Sequence, residues 1–144
     1  MQLEPSGVFQ HTFIASQEAV DENGHVNNVA YVQWMQDAAL RHSDRQGCTD
    51  KTKVVGATWV VRSHRIEYSL PAFAGDRIAV LTWVSDFRKV RSLRKYKFLR
   101  LEDNALLAVA ETDWVFVDAA SGRPRAIPKE ISDAFEIVPA GREP

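Results

Sequence analysis

The spacing of apolar positions predicts one early strand and one long helix in the first third of the chain. Residues 8–20 alternate loosely between apolar and polar side chains, as a strand does. The segment after residue 28 has apolar residues three and four positions apart, which predicts a helix. Asn27 or Asn28 is suited to cap its start, and Gly47 to end it. Because its apolar residues occupy more than one face, we expect this helix to be largely buried.

The rest of the chain predicts consecutive strands at residues 54–70, 77–87, 92–101 and 105–118, followed by a short helix within 128–135. The last strand is the clearest, because six alternate residues fall on one face: Leu106, Ala108, Ala110, Thr112, Trp114 and Phe116. Breaks at 71–76, 88–91 and 103–104 are short, and short links favour an antiparallel sheet. The pattern therefore predicts an α+β fold in which one helix packs on that sheet.

Composition and charge narrow the class of protein. The chain of 144 residues fits one domain, which we expect to span residues 1–136, with a C-terminal tail at 137–144. Its net charge of −1 gives no general attraction to nucleic acid, so we expect no nucleic-acid partner. The longest apolar run, 105–110, is too short for stable membrane insertion. The N-terminal residues lack the basic and apolar regions of a secretory signal, which makes a cytoplasmic location the expectation.

Metal and thiol chemistry find little support in the sequence. The single cysteine, Cys48, excludes an internal disulfide and a cysteine-based metal cluster. His11, His42 and His64 have no metal-ligand spacing with one another, so we expect no metal site. Trp59, Trp83 and Trp114 are expected to pack in the core or to line an acyl pocket.

The segment from Asp21 to Asn28 carries the candidate chemistry. It places an acid, an imidazole and three amides in a glycine-containing loop that opens the main helix. Backbone N–H groups at a helix start carry partial positive charge and suit an oxygen that becomes negative in a transition state. An aspartate just ahead of them is positioned to act on a carbonyl carbon. The residues alone thus indicate a site for acyl transfer or hydrolysis, and the alternative that they only cap and turn the chain stays open.

This loop also resembles the motifs of known thioesterases. Asp21, Gly24 and Tyr31, opening a long helix after a first strand, resemble the 4-hydroxybenzoyl-CoA thioesterase family of the hotdog fold. The run from Asp21 to Asn28, followed by Tyr31 and Trp34, is also similar to a motif of plant fatty acyl-ACP thioesterases. Later segments resemble bacterial acyl-CoA thioesterases of the same family: 65–68, 71–72, 75–76 and 123–128. The similarity extends over residues 8–135.

The resemblance implies a five-stranded antiparallel sheet wrapped around the long helix, and a homodimer with active sites at the subunit interface. Further pairing into a homotetramer is common in the family. Asp21 matches the catalytic aspartate, which acts as nucleophile or general base, and the backbone N–H near Asn28 matches the group that polarises the thioester carbonyl. Asn23 and His25 match residues that support catalysis in the plant enzymes. For His25, a hydrogen bond that only orders the loop is the alternative. Gly24 and Tyr31 are expected to contact substrate.

A second implied site lies in the basic segment 88–95, where five of eight side chains are cationic at a turn between strands. In the family, basic residues at this turn lie near the CoA nucleotide. Arg88 and Lys89 match them best, and such side chains hold phosphates well. The alternative is a solvated hairpin whose cations serve solubility.

The expected activity is therefore hydrolysis of an acyl-CoA thioester to a carboxylic acid and free CoA. No cofactor is expected, because a thioester is already activated and CoA is part of the substrate. An acyl-ACP thioesterase with the same chemistry is the nearest alternative. A non-catalytic acyl-CoA-binding module and a hydratase acting on an enoyl thioester are the others, and fold alone does not choose among them.

Overall fold

The computed structural model describes residues 6–144, so residues 1–5 of the predicted domain lie outside the described residues. Its strands are β1 (Phe9–Ile14), β2 (Ala57–Tyr68), β3 (Arg77–Phe87), β4 (Arg91–Arg100) and β5 (Ala105–Asp118). They form one five-stranded sheet in the order β1-β3-β4-β5-β2, and every neighbouring pair is antiparallel. This confirms the predicted α+β architecture. No helix among residues 6–144 is long and apolar enough to cross a membrane.

The long helix α1 (Asn28–Arg45) packs against the sheet through one face. It begins where predicted, because the Asn27 side chain accepts a hydrogen bond from the Val29 N–H at 2.8 Å. Its buried positions recur at helical spacing: Tyr31, Trp34, Met35, Ala38, Ala39 and His42. The expectation that the helix is largely buried is wrong, since Val29 is 73% and Leu40 56% exposed. The sheet covers only the side of α1 that carries the six buried residues.

Two segments differ from the sequence-based elements because local hydrogen bonding overrides weak periodicity. The first strand ends at Ile14, and a 3₁₀ turn at Gln17–Ala19 follows, capped by Ser16. A second helix, α2 (Cys48–Val54), occupies residues at which the pattern suggested no helix. Gly47, at φ +77°, redirects the chain so that a new helix begins there, and β2 starts only at Ala57.

A bulge in β5 changes which side chains face the core. The β4–β5 register passes from Phe98↔Ala108 to Leu99↔Leu106, so Leu107 is one extra residue on β5. Leu107 is fully buried in the core cluster, whereas Leu106 is only half-buried. The prediction that Leu106 shares a face with Ala108 is therefore wrong, because one inserted residue reverses the alternation.

The C-terminal residues lie against the outer face of the sheet. After the short helix α3 (Lys129–Ser132), which falls within the predicted 128–135 segment, Val138 packs against Leu81 and Trp83 of β3. Lys97 on β4 donates to the Pro144 carbonyl oxygen at 2.7 Å. β3 is therefore covered on both faces, by the core on one side and by Val138 on the other. The domain boundary at residue 136 stays a prediction.

Candidate active site

The Asp21 carboxylate organises the loop that precedes α1. Its Oδ1 accepts hydrogen bonds from the backbone N–H groups of Asn23 at 2.9 Å and His25 at 3.2 Å. The second oxygen, Oδ2, has no hydrogen-bond partner among residues 6–144, and the residue is exposed. Gly24 permits the turn, since its φ of +79° is unfavourable for residues with a Cβ. Asp21 thus shapes the loop with one oxygen and leaves the other without a partner among residues 6–144.

Neighbouring backbone holds this loop in place. The Val26 N–H donates to the Ala72 carbonyl at 2.8 Å, and the Asn27 N–H donates to the Ala19 carbonyl at 2.6 Å. Val26 itself is only 4% exposed. Because its second half is anchored to two other segments, the loop presents Asp21 from a fixed frame, as catalytic preorganisation requires.

His25 and Asn23 lie on the exposed side of the same loop. The His25 ring packs edge-on against Phe73, with ring centroids 5.3 Å apart at an interplanar angle of 81°. The backbones of His25 and Phe73 also form an isolated β-bridge. His25 is thus positioned by an aromatic contact, while the Asn23 side chain makes no hydrogen bond within residues 6–144.

The start of α1 offers one backbone donor beside this loop. The Val29 N–H donates to the Asn27 side chain, whereas the Asn28 N–H has no acceptor among residues 6–144. The Tyr68 hydroxyl, at the end of β2, donates to the Asn28 carbonyl oxygen at 3.2 Å and ties the helix start to the sheet. An unpaired N–H at the positive end of a helix suits a developing oxyanion.

Tyr31 lies in the buried core of the protein. It is 2% exposed and packs against Trp34, Tyr68 and Phe98, with ring centroids 4.9–5.1 Å away. Burial, with a smaller contribution from Tyr68, raises the pKa of Tyr31 to about 12, so its hydroxyl stays protonated. Its contact with substrate stays a prediction.

Arg88 and Lys89 lie far from Asp21 within one chain. The Asp21 loop is joined to the segment that enters β3, whereas both cations follow the end of that strand. Ten residue steps along β3 span about 34 Å. Arg88 donates to Asp86 at 3.3 Å and is exposed. The structure brings Asp21, Asn23, Gly24, His25 and Asn28 together and leaves the basic turn at the opposite end of the sheet.

The basic segment is also less uniform than its sequence suggests. Only Arg88 and Lys89 belong to the turn, while Arg91, Arg94 and Lys95 lie in β4. Arg94 is 5% exposed and is directed into the interior. Interpreting all five cations as part of one turn is therefore wrong, because alternate residues of β4 face opposite sides of the sheet.

A cavity of about 260 Å³ lies between α1, α2 and the sheet. Sequence reasoning missed it, since part of its wall comes from the unpredicted helix α2, through Cys48, Thr49, Thr52 and Lys53. The one signal for it was the expectation that the tryptophans pack in the core or line a pocket: Trp59 and Trp114 line this cavity, whereas Trp83 packs with Val138 on the outer face of the sheet. Its lining includes exposed residues at the opening (Gln36, Leu40, Lys53, Thr58) and buried ones at the floor (Cys48, Val84, Ser92, Arg94, Phe135).

Comparison with known proteins gives a consistent family and fold. Residues 15–135 match the family model described as thioesterase-like superfamily. The chain is 30% identical over 122 residues to the acyl-CoA thioester hydrolase YbgC of Escherichia coli, covering 83% of this chain and 89% of that protein. Its fold resembles Slr0204 of Synechocystis, a 1,4-dihydroxy-2-naphthoyl-CoA thioesterase, with a TM-score of 0.80, 20% identity and coverage of 89% and 95%. It also resembles the 12:0-ACP thioesterase of Umbellularia californica, with a TM-score of 0.82, 22% identity and coverage of 92% and 52%.

Proposed function

The chain belongs to the thioesterase-like superfamily, and from this membership we propose that it hydrolyses an acyl-CoA thioester to a carboxylic acid and free CoA. The observation that carries the proposal is the Asp21 carboxylate, fixed in a glycine loop ahead of the unpaired Asn28 N–H. The similarity to an acyl-CoA thioester hydrolase supports CoA as the carrier.

Asp21 acts through Oδ2, the oxygen that the loop leaves without a partner among residues 6–144. As a general base, it takes a proton from water while the water oxygen bonds to the thioester carbon. As a nucleophile, it bonds to that carbon itself and forms an anhydride that water then cleaves. In both routes the C–S bond breaks, and the sulfur leaves as the CoA thiolate and takes up a proton.

The Asn28 N–H stabilises the oxyanion that forms on the carbonyl oxygen in either route. Asn23 and His25 orient the attacking water from the exposed side of the loop. Gly24 contributes by leaving space: a Cβ at this position would meet no atom within 4 Å, so substrate can approach the backbone there. No metal or redox cofactor takes part, because the thioester carbon is already electrophilic.

The active protein is a homodimer that pairs through β2, and dimers can pair further into a tetramer. β2 is an edge strand of 12 residues that, within residues 6–144, pairs only with β5, and a long open edge tends to recruit another strand. We place the contact at residues 54–62, which include the first half of this edge and the exposed Val60. A two-fold axis near the middle of β2 sets Ala57 of one subunit opposite Tyr68 of the partner subunit.

This dimer brings the separated parts of the site together. Tyr68 contacts Asn28 at the start of α1, whereas Ala57 lines the cavity. The catalytic loop of one subunit therefore faces the cavity opening of the other. The turn that carries Arg88 and Lys89 lies at the Ala57 end of the sheet, so Arg88 of the partner subunit reaches toward the CoA phosphates.

The test is an assay of free-thiol release from short, medium, long and aromatic acyl-CoAs, with the same acyl groups on acyl carrier protein in parallel. Wild type should release thiol from acyl-CoA, and Asp21→Asn should lose most of that turnover. Glu22→Gln, a neighbouring exposed acid in the same loop, is the matched control and should stay active. Binding of acyl-CoA without thiol release by wild type would identify a binding module instead.

A further inference from the structure

Arg94 is a buried cation with unused hydrogen-bonding capacity. Its Nη1 donates to the His42 Nδ1 at 2.9 Å and to the Thr82 hydroxyl at 3.1 Å. Its guanidinium carbon lies 5.4 Å from the centre of the Phe135 ring. The N–H groups on Nε and Nη2 have no acceptor among residues 6–144. A guanidinium carries five N–H donors, so most of this group remains unsatisfied.

No acid among residues 6–144 balances this charge. Arg94 takes part in none of their ion pairs. The pKa of His42 is lowered to about 3, mainly by burial and then by Arg94 and Arg45, so the imidazole is neutral and acts as the acceptor. The remaining ionisable neighbours, Tyr96 and Cys48, are a phenol and a thiol, not carboxylates. An unpaired buried charge is costly, and an anionic ligand would offset that cost.

Arg94 lies at the floor of the 260 Å³ cavity, where a ligand entering between Leu40 and Thr58 would meet it. Most of the wall is apolar and includes Val84, Phe87 and Phe135, the last of which packs on the guanidinium. The cavity thus combines an apolar wall with the unused donors of one buried guanidinium.

We propose that this cavity binds the acyl group of the substrate and that Arg94 selects a short acyl group whose far end is a carboxylate. A carboxylate matches the guanidinium in charge and geometry, and a methylene chain matches the apolar wall. The cavity volume is about that of nine water molecules in liquid water. A space of this size suits an acyl chain of four to six carbons. The proposal rests on the proposed thioesterase activity and on the dimer that sets this cavity opposite the partner's catalytic loop.

The experiment compares kcat/KM for succinyl-, glutaryl- and adipyl-CoA with butanoyl-, pentanoyl- and hexanoyl-CoA of equal chain length. At one length or more, wild type should prefer the carboxylated substrate at least tenfold. Arg94→Met should remove this preference, so that within the variant the carboxylated and neutral members of each pair have kcat/KM values within about threefold of each other. Lys97→Met, on the outer face of the same strand, is the control and should keep the preference. Equal or better turnover of the neutral member at every length would overturn the proposal.

Two outcomes separate this proposal from the function on which it rests. Turnover of neutral acyl-CoAs without a carboxylate preference rejects the selective role of Arg94 and leaves the thioesterase intact. If no thioester is hydrolysed, binding decides: free glutarate should raise the melting temperature of the wild-type protein more than pentanoate does. The same measurement serves if Arg94→Met does not fold, and equal shifts with the two acids reject the site.

Discussion

Asp21 has a structural task and a proposed chemical one, and two substitutions separate them. Asp21→Asn keeps an Oδ1 that can accept the N–H groups of Asn23 and His25. Its stability should therefore stay within about 1 kcal/mol of wild type, with only the charge near the helix start lost. Asp21→Ala removes both hydrogen bonds. At about 0.5–1 kcal/mol for each exposed bond, the loss is about 1–2 kcal/mol.

For a chain of 144 residues, this loss corresponds to a melting temperature lower by about 3–7 °C. Free-thiol release should fall at least about 100-fold in both variants, because each lacks the carboxylate that serves as base or nucleophile. Calorimetry and the thiol assay on the same preparations check the two effects separately. Near-wild-type turnover by Asp21→Asn would show that the residue only turns the chain, and the mechanism would be wrong.

Three further outcomes follow from the fold. Arg88→Ala/Lys89→Ala should raise KM for acyl-CoA more than it lowers kcat, most strongly at low salt, and should leave hydrolysis of a thioester without the nucleotide unchanged. An unchanged KM at low salt would show that the turn is a solvated hairpin that does not bind the nucleotide. Val60→Asp on the β2 edge should give an inactive monomer in light scattering, whereas a persisting dimer would place the interface elsewhere. The lowered pKa of His42, about 3 against 6.5 unfolded, means that the unfolded chain binds the proton first as pH falls. The free energy of unfolding should thus be highest above pH 6.5 and decline toward pH 3, by up to about 2 kcal/mol between pH 7 and 5. Urea unfolding at several pH values measures this decline, which should be shallower in His42→Asn.

The elements that could be predicted from sequence are those with strong periodicity or explicit signals. Asn27 and Gly47 mark both limits of α1, and the spacing between 77 and 118 indicates three strands close to their actual bounds. The helix α2 escapes because its exposed face is polar and only Cys48 and Thr52 are buried, which is too few for a detectable pattern. The bulge at Leu107 could not be predicted, because one extra residue is visible only in the pairing with β4.

One part of the candidate site could be predicted from the sequence and another part could not. Asp21 and its loop are contiguous in sequence, so their grouping could be predicted. The environment of Arg94 could not, because His42, Thr82 and Phe135 come from segments far apart in the sequence: α1, β3 and the residues after α3. A charge in a basic run usually faces solvent, and only the tertiary pairing of β4 shows which one turns inward.

The packing of the C-terminal residues limits how the chain can be engineered. Val138 is 1% exposed, and Glu143 pairs with Lys95 at 2.7 Å, so this segment covers Trp83 and Leu81 as part of the fold. A chain shortened after residue 136 would expose those two side chains as an apolar patch and invite aggregation. An affinity tag fused directly at Pro144 would begin at the surface of β4, so a flexible spacer should precede it.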